Sequence, residues 1–164
     1  MKIKLQDVVR TGLLAALAVA LQSMTLPQPV TGPGINAILF VASVYVGPLS
    51  GALVGIITPW MALLMGINKL APAVPVIMAG NVTLALVTGY FAKFNRYLAM
   101  GLASVLKFGV MTLGIRYLMS TGTKIPAAAY TSLTITQLVT ALGGAVVASL
   151  VLAALSRAVK QRGQ

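Results

Sequence analysis

The first apolar run of the sequence, residues 11–26 (TGLLAALAVALQSMTL), predicts the fold. It contains no charged residue after Arg10, and with residues 8–9 it is long enough to cross a bilayer as a helix. Small residues recur at every fourth position and therefore lie along one stripe of that helix: Gly12, Ala16 and Ala20, widened by Ala15 and Ala18. Such a stripe allows close helix packing, either against the chain's own helices or against a separate protein.

The composition extends this prediction to the whole chain. Its 164 residues are 59% hydrophobic and 8% charged, and the mean hydropathy is +0.97. A soluble domain of this length could not bury that much apolar surface. The sequence therefore predicts an all-α membrane protein that forms one integral membrane domain over residues 1–164.

The small number of ionisable side chains excludes several classes of function. The chain has no Cys and no His, and Asp7 is the only acidic residue, so we expect no metal site and no cofactor. Proton-coupled carriers normally keep an ionisable Asp, Glu or His within the membrane, whereas backbone and hydroxyl oxygens could still bind sodium. No Walker loop, nucleotide fingerprint or nucleophile–base pair is present, which argues against an ATPase or an enzyme. In so apolar a chain, the net charge of +11 indicates membrane orientation and no nucleic-acid partner.

Six membrane spans are predicted. The prolines and glycines of residues 25–34 (TLPQPVTGPG) predict an irregular segment, and Gly47-Pro48 predicts a tight break with Pro48 starting the next helix. The last span is longer than a bilayer requires, which allows a loop or a separate turn at its start. The spans are residues 8–26, 35–47, 49–66, 74–91, 98–119 and 127–155.

The Lys and Arg residues predict the orientation of this bundle. Only Lys69 and Lys124 lie in the loops on one side of the membrane. An even number of spans with this bias places both termini in the cytoplasm. The residues on the predicted cytoplasmic side are Lys2, Lys4, Arg10, Lys93, Arg96, Arg157, Lys160 and Arg162.

Isolated polar residues predict one pocket open to the outside. Polar side chains in the apolar layer are costly and tend to face a protein interior or a wet cavity. Each also has a structural explanation, because the amides could bond neighbouring helices, Asn36 could cap its helix and Trp60 could be an interfacial anchor. The residues, on five different spans, are Asn36, Trp60, Asn81, Lys107 and Gln137.

Lys107 is the most informative of these residues. Without an Asp or Glu to pair with, a mid-membrane Lys must snorkel, lose its proton or meet a ligand brought from outside. Arg116 lies on roughly the opposite face of the same helix and is expected to snorkel outward. A Ser104–Lys107 hydrolytic dyad is disfavoured because no oxyanion site or acyl-transfer motif accompanies it.

Four segments together resemble a known family. They are GLLAALAVAL (12–21), GPGINA (32–37), VGPLSGALVG (46–55) and VPVIMAGN (74–81). Their order and spacing resemble the substrate-binding S components of energy-coupling factor (ECF) vitamin transporters. The resemblance covers nearly the whole chain and implies a six-helix bundle in the bacterial cytoplasmic membrane. It also implies no catalysis, and it implies partnership with one transmembrane scaffold subunit and two ATPase subunits.

The resemblance also implies roles for particular residues. In this family, a small-residue motif on the first helix contacts the scaffold, which carries over to Gly12, Ala16 and Ala20, with Ala15 as an alternative register. The ligand of such proteins is held by the first, third and fifth loops and by helices four to six. The corresponding candidates here are Asn68, Lys69, Asn81, Lys107, Tyr130 and Gln137.

The substrate class follows from the pocket residues and remains broad. Amides, hydroxyls, one aromatic residue and a Lys favour a neutral or anionic vitamin or vitamin precursor. The segment INAI (35–38) is similar to members that carry the thiazole precursor of thiamin, but MALLMGINKL (61–70) departs from them, so pantothenate and biotin stay open. The alternative functions are a small ion-coupled secondary transporter acting as an oligomer and a structural subunit without a ligand.

Overall fold

The computed structural model describes residues 4–162, with side chains through residue 158. This described part is helical throughout and contains no β-strand. Lys2 of the predicted charge pattern lies outside the described residues, as do the side chains of Lys160 and Arg162. The α-helices are α1 (Leu5–Ser23), α2 (Gln28–Val41), α3 (Pro48–Leu64), α4 (Val74–Ser120), α5 (Ala127–Leu133) and α6 (Ile135–Arg162).

The long helix α4 is broken near its middle. Asn95 has extended backbone angles (φ −156°, ψ 110°), which divide the helix into residues 74–94 and 96–120. The Oδ1 atom of Asn95 accepts hydrogen bonds from the backbone N–H groups two and three residues later, at 3.0 and 3.1 Å. These bonds cap the start of the second half, whose first N–H groups have no helical partner.

The two halves of α4 pack against each other as an antiparallel hairpin. A Cβ atom added at Gly80 would lie 2.6 Å from Cγ of Met111, and one added at Gly114 would lie 2.6 Å from Cγ1 of Val76. The absence of side chains at these glycines therefore allows the two halves to approach closely. At 1.5 Å per residue, each half is about 30 Å long or longer, which is the thickness of the hydrocarbon core.

Helix α2 begins earlier than the sequence predicted. The prediction of an irregular segment over residues 25–34 holds for residues 25–27 and was wrong for residues 28–34, since α2 includes Pro29 in its first turn and Pro33 in its interior. A proline in the first turn lacks only an N–H that would have no partner in any case. The glycines beside Pro33 allow tight packing, and a Cβ at Gly32 would lie 2.6 Å from Cγ2 of Thr140. Tertiary packing thus outweighs the low helix propensity of this segment.

Two other helix boundaries agree with the sequence. Gly47 has a φ of +145°, and Pro48 is the first residue of α3, as the predicted break requires. One turn of π-helix (Ala42–Val46) precedes this break. Thr134, with φ −122° and ψ −90°, separates α5 from α6, so the last predicted span starts with a separate turn.

Helix α2 lies at the centre of the bundle and α1 at its edge. Every residue from Asn36 to Val41 is buried, and a Cβ at Gly144 of α6 would lie 2.7 Å from Cβ of Asn36. In α1, the buried residues are Ala15 and Ala18. The bundle therefore leaves most of α1 open to its surroundings.

The outside of the bundle is apolar. Four helical stretches within residues 4–162 are long and apolar enough to cross a membrane, and Pro48–Leu64 is a shorter apolar helix. One of the four contains the α4 hairpin. Their large side chains are widely exposed, for example Leu13 (66%) and Leu150 (69%), which is the surface that a lipid bilayer covers. The four stretches are Leu5–Ser23, Gln28–Val46, Ala71–Ser120 and Ala127–Ala158.

Candidate ligand-binding site

A cavity of about 820 Å³ opens at the end of the bundle where α1 leads into α2. The segment 65–70 and helix α5 form its rim, and all six α-helices or their adjoining turns contribute to its wall. Cavities of about 300–1,000 Å³ hold drug-sized small molecules. Six of the eight predicted binding residues line it: Asn36, Asn68, Lys69, Asn81, Lys107 and Gln137.

Lys107 lies at the centre of the cavity floor. Its Nζ atom donates hydrogen bonds to Oδ1 of Asn36 at 2.7 Å and to Oδ1 of Asn81 at 2.8 Å. The three side chains are 2%, 2% and 4% exposed for Lys107, Asn36 and Asn81 respectively. The network thus joins α2 to both halves of α4 at a point shielded from the surroundings.

The two asparagines are held in turn by the surrounding helices. Asn36 Nδ2 donates to the carbonyl oxygen of Gly32 at 3.0 Å and to Oγ1 of Thr140 at 3.4 Å. Asn81 Nδ2 donates to the carbonyl oxygen of Gly55 on α3 at 3.3 Å. Because both amide nitrogens are engaged, both amide oxygens are presented to Lys107.

Glycines make room for this network. A Cβ at Gly55 would lie 3.0 Å from Cβ of Asn81. On α6, a Cβ at Gly144 would lie 2.8 Å from the carbonyl oxygen of Pro33. Larger residues at these positions would push α3 away from the helix that carries Asn81, and α6 away from the helix that carries Asn36.

Three polar atoms in the cavity wall have no hydrogen-bond partner among the residues that the structure describes. They are Oε1 of Gln22, Oγ1 of Thr58 and Nδ2 of Asn68. A buried polar atom without a partner costs about 1–3 kcal/mol, so water or a ligand is expected to bind there. Gln22 and Thr58 were not predicted as site residues from the sequence, although Gln22 is a polar residue near the end of the first apolar run.

The rim of the cavity is formed by short turns. Asn68 Oδ1 accepts the backbone N–H of Leu70 at 3.0 Å, and Gly66 has a φ of +72°, which favours glycine. Ser132 of α5 donates to Oε1 of Gln28 at 3.1 Å, which connects α5 to the start of α2. Lys69 is exposed at this rim.

Two of the predicted binding residues lie outside the cavity wall. The side chain of Trp60 is 46% exposed on α3. The hydroxyl oxygen of Tyr130 accepts a hydrogen bond from Nε of Arg116 at 3.4 Å. Neither residue contributes to the cavity lining.

The small-residue stripe of α1 divides between two faces. Ala15 is 9% exposed and Ala18 is fully buried, and both belong to the core. Gly12, Ala16 and Ala20 are exposed, and no atom within the described part of the chain lies within 4 Å of a Cβ added at Gly12. The inner part of the stripe therefore packs on this chain, while the outer part is exposed.

An apolar helical bundle around a cavity that contains a few buried polar groups defines an integral membrane protein with room for a small molecule. The sequence model of the family described as "ECF transporter, substrate-specific component" matches residues 6–156. The chain belongs to this family, and it is a transporter component rather than an enzyme. Substrate-specific components of ECF transporters associate with a scaffold and an ATPase module.

Two further comparisons found no relative. Neither the search of curated proteins nor the search of solved structures gave a match. The family assignment therefore depends on the family model, and the residue roles below depend on the geometry of this chain.

Proposed function

We propose that this chain captures a vitamin or vitamin precursor from outside a bacterial cell and delivers it through a scaffold subunit driven by two ATPase subunits. The cavity around Lys107 is the observation that carries this proposal. It is large enough for a vitamin-sized molecule, and its mostly apolar wall contains buried polar atoms that have no partner among the described residues. Membership of the ECF substrate-specific family supports the same function.

The proposed topology has six spans with both termini in the cytoplasm. The spans are α1, α2 with its π-turn, α3, the two halves of α4, and α6. This arrangement places the turn at Asn95, with Lys93 and Arg96 beside it, on the cytoplasmic side. The cavity then opens to the outside. The excess of Lys and Arg on the Asn95 side supports this orientation.

The proposed docking surface is the outer face of α1, formed by Gly12, Ala16 and Ala20. These residues are exposed, and small residues allow a partner helix to approach the backbone closely. A chain of this kind binds its ligand alone and needs the ATPase module for transport.

Transport in reconstituted vesicles tests this proposal. The compound that co-purifies with the chain is identified by mass spectrometry, and its labelled form is supplied outside the vesicles. We expect uptake only when scaffold, ATPase subunits and ATP are present. Uptake by the chain alone, driven by an ion gradient, would contradict the proposal and favour a secondary transporter.

A further inference from the structure

A protonated Lys107 has no counter-charge among the neighbouring side chains. Asp7 is the only acidic side chain of the sequence, and it lies on α1, 3.9 Å from Arg10. The partners of Lys107, Asn36 and Asn81, contribute neutral amide oxygens. A buried charge is costly when no opposite charge accompanies it. The cavity floor therefore lacks a negative charge that would neutralise Lys107.

Lys107 also retains hydrogen-bonding capacity. An ammonium group has three N–H donors, and two of them reach Asn36 and Asn81. Because Lys107 lines the cavity, its third donor is available to a molecule bound there.

Thr58 provides a second polar group in the cavity wall. Its side chain is 1% exposed, it lines the cavity, and its Oγ1 has no partner among residues 4–158. Thr58 follows Gly55 by about one turn of α3, and the carbonyl oxygen of Gly55 accepts the hydrogen bond from Asn81. The hydroxyl thus lies on the stretch of α3 that packs against the Lys107 network.

The charges of the cavity wall are all positive. Its charged residues within the described part of the chain are Lys69 at the rim and Lys107 at the floor. A cleft with charges of one sign in a low-dielectric surrounding concentrates ligands of the opposite sign.

We propose that the ligand carries an anionic oxygen group, a carboxylate or a phosphate, that binds between Nζ of Lys107 and Oγ1 of Thr58. This inference rests on the proposed function and narrows its substrate class to anions. The anion supplies the missing counter-charge and accepts both free donors. Gln22 Oε1 and Asn68 Nδ2, which also have no partner in the described part of the chain, provide an acceptor and a donor for the rest of the ligand.

The test begins with a low-molecular-mass extract of lysed bacterial cells, separated by anion exchange into anionic and neutral fractions. Each fraction is added to the purified chain, and thermal unfolding is followed. We expect the anionic fraction to raise the melting temperature and the neutral fraction to leave it unchanged. Phosphatase treatment of the anionic fraction then distinguishes the two sources, since only a phosphate ligand loses its effect.

A matched pair of threonine variants tests the position of the anion. Thr58 and Thr88 are both buried on helices, and neither hydroxyl has a partner among the described residues, but only Thr58 lines the cavity. Neither Thr58→Val nor Thr88→Val removes a side-chain hydrogen bond seen within that part of the chain, so we expect no loss of stability without ligand. We expect Thr58→Val to raise the half-maximal concentration of the anionic fraction about tenfold, and Thr88→Val to leave it unchanged.

The remaining outcomes separate this inference from the proposed function. Stabilisation by the neutral fraction alone would overturn the anion site and leave a solute-binding protein. If neither fraction stabilises the chain, ligand binding itself is contradicted. Equal affinity in the Thr58→Val and Thr88→Val variants would show that the anion does not bind at Thr58.

Discussion

At the scale of single residues, small side chains decide whether the site can form. The asparagines that bind Lys107 lie on helices that meet neighbouring helices at glycines, and a Cβ at Gly144 would lie 2.7 Å from Cβ of Asn36. Such contacts have little room to relax because backbone atoms of α2 lie beside them. The glycines are therefore as important to the site as the polar residues.

Adding one methyl group should have opposite effects at a packed and at an open glycine. Gly144→Ala should destabilise the protein by about 1–3 kcal/mol, because the new Cβ overlaps α2. Gly109→Ala is the control, since no described atom beyond its own stretch of helix backbone lies within 4 Å of a Cβ there, and alanine favours the helix by up to about 1 kcal/mol. Thermal unfolding in detergent measures both variants. Equal melting temperatures for the two variants would contradict the packing argument.

At the scale of helices, α1 differs from the rest of the bundle. Its buried residues are Ala15 and Ala18, and Leu14 and Leu21 pack partly buried against the core. At Gly12, by contrast, no described atom outside α1 lies within 4 Å of an added Cβ. The part of α1 that lines the cavity is its C-terminal end, at Gln22. Its outer face can therefore be altered without disturbing the ligand site.

Enlarging that face should separate binding from transport. We predict that Gly12→Leu retains ligand binding but loses uptake, because the leucine side chain keeps a partner helix away from the backbone. Gly109→Leu is a matched control at another open helical glycine, and it should retain both activities. Undiminished uptake by Gly12→Leu in cells that contain the complete transporter would rule out docking through this face.

The helices could be predicted from the sequence only where hydrophobicity and local chemistry agreed. The break at Gly47-Pro48 depends on two adjacent residues and was confirmed. The start of α2 was predicted wrongly, because its prolines and glycines are accommodated by contacts with α6. Contacts with distant segments leave no local signal in a sequence.

The same limit applies to the site. Asn36, Asn81 and Lys107 were recognisable because polar groups are rare in apolar spans, and the structure places them in one network. Thr58 resembles any helical threonine, whose hydroxyl usually bonds its own helix. Only the structure shows that this hydroxyl lacks a partner and lines the cavity.

At the scale of the whole molecule, the orientation in the membrane decides which solution the cavity meets. The natural absence of Cys makes single-cysteine variants direct reporters of sidedness. Thr121 lies at the end of the bundle with the cavity rim, and the exposed Phe94 lies beside the turn at Asn95. The two positions therefore mark opposite ends of the second half of α4.

We predict that a membrane-impermeant maleimide labels Thr121→Cys in intact cells and leaves Phe94→Cys unlabelled. Both variants should react after the membrane is permeabilised, which controls for access to the thiol. The reverse pattern in intact cells would place the cavity opening in the cytoplasm and contradict capture from outside.

The most direct test of the account is equilibrium binding of the co-purifying compound to the purified chain, with a pair of lysine variants. Lys107→Met removes the charge of the cavity floor, whereas Lys124→Met removes an exposed charge outside the cavity wall. We predict at least about tenfold weaker binding for Lys107→Met, since a hydrogen bond to a charged group is lost, and unchanged binding for Lys124→Met. Wild-type affinity in a correctly folded Lys107→Met variant would contradict ligand binding at Lys107.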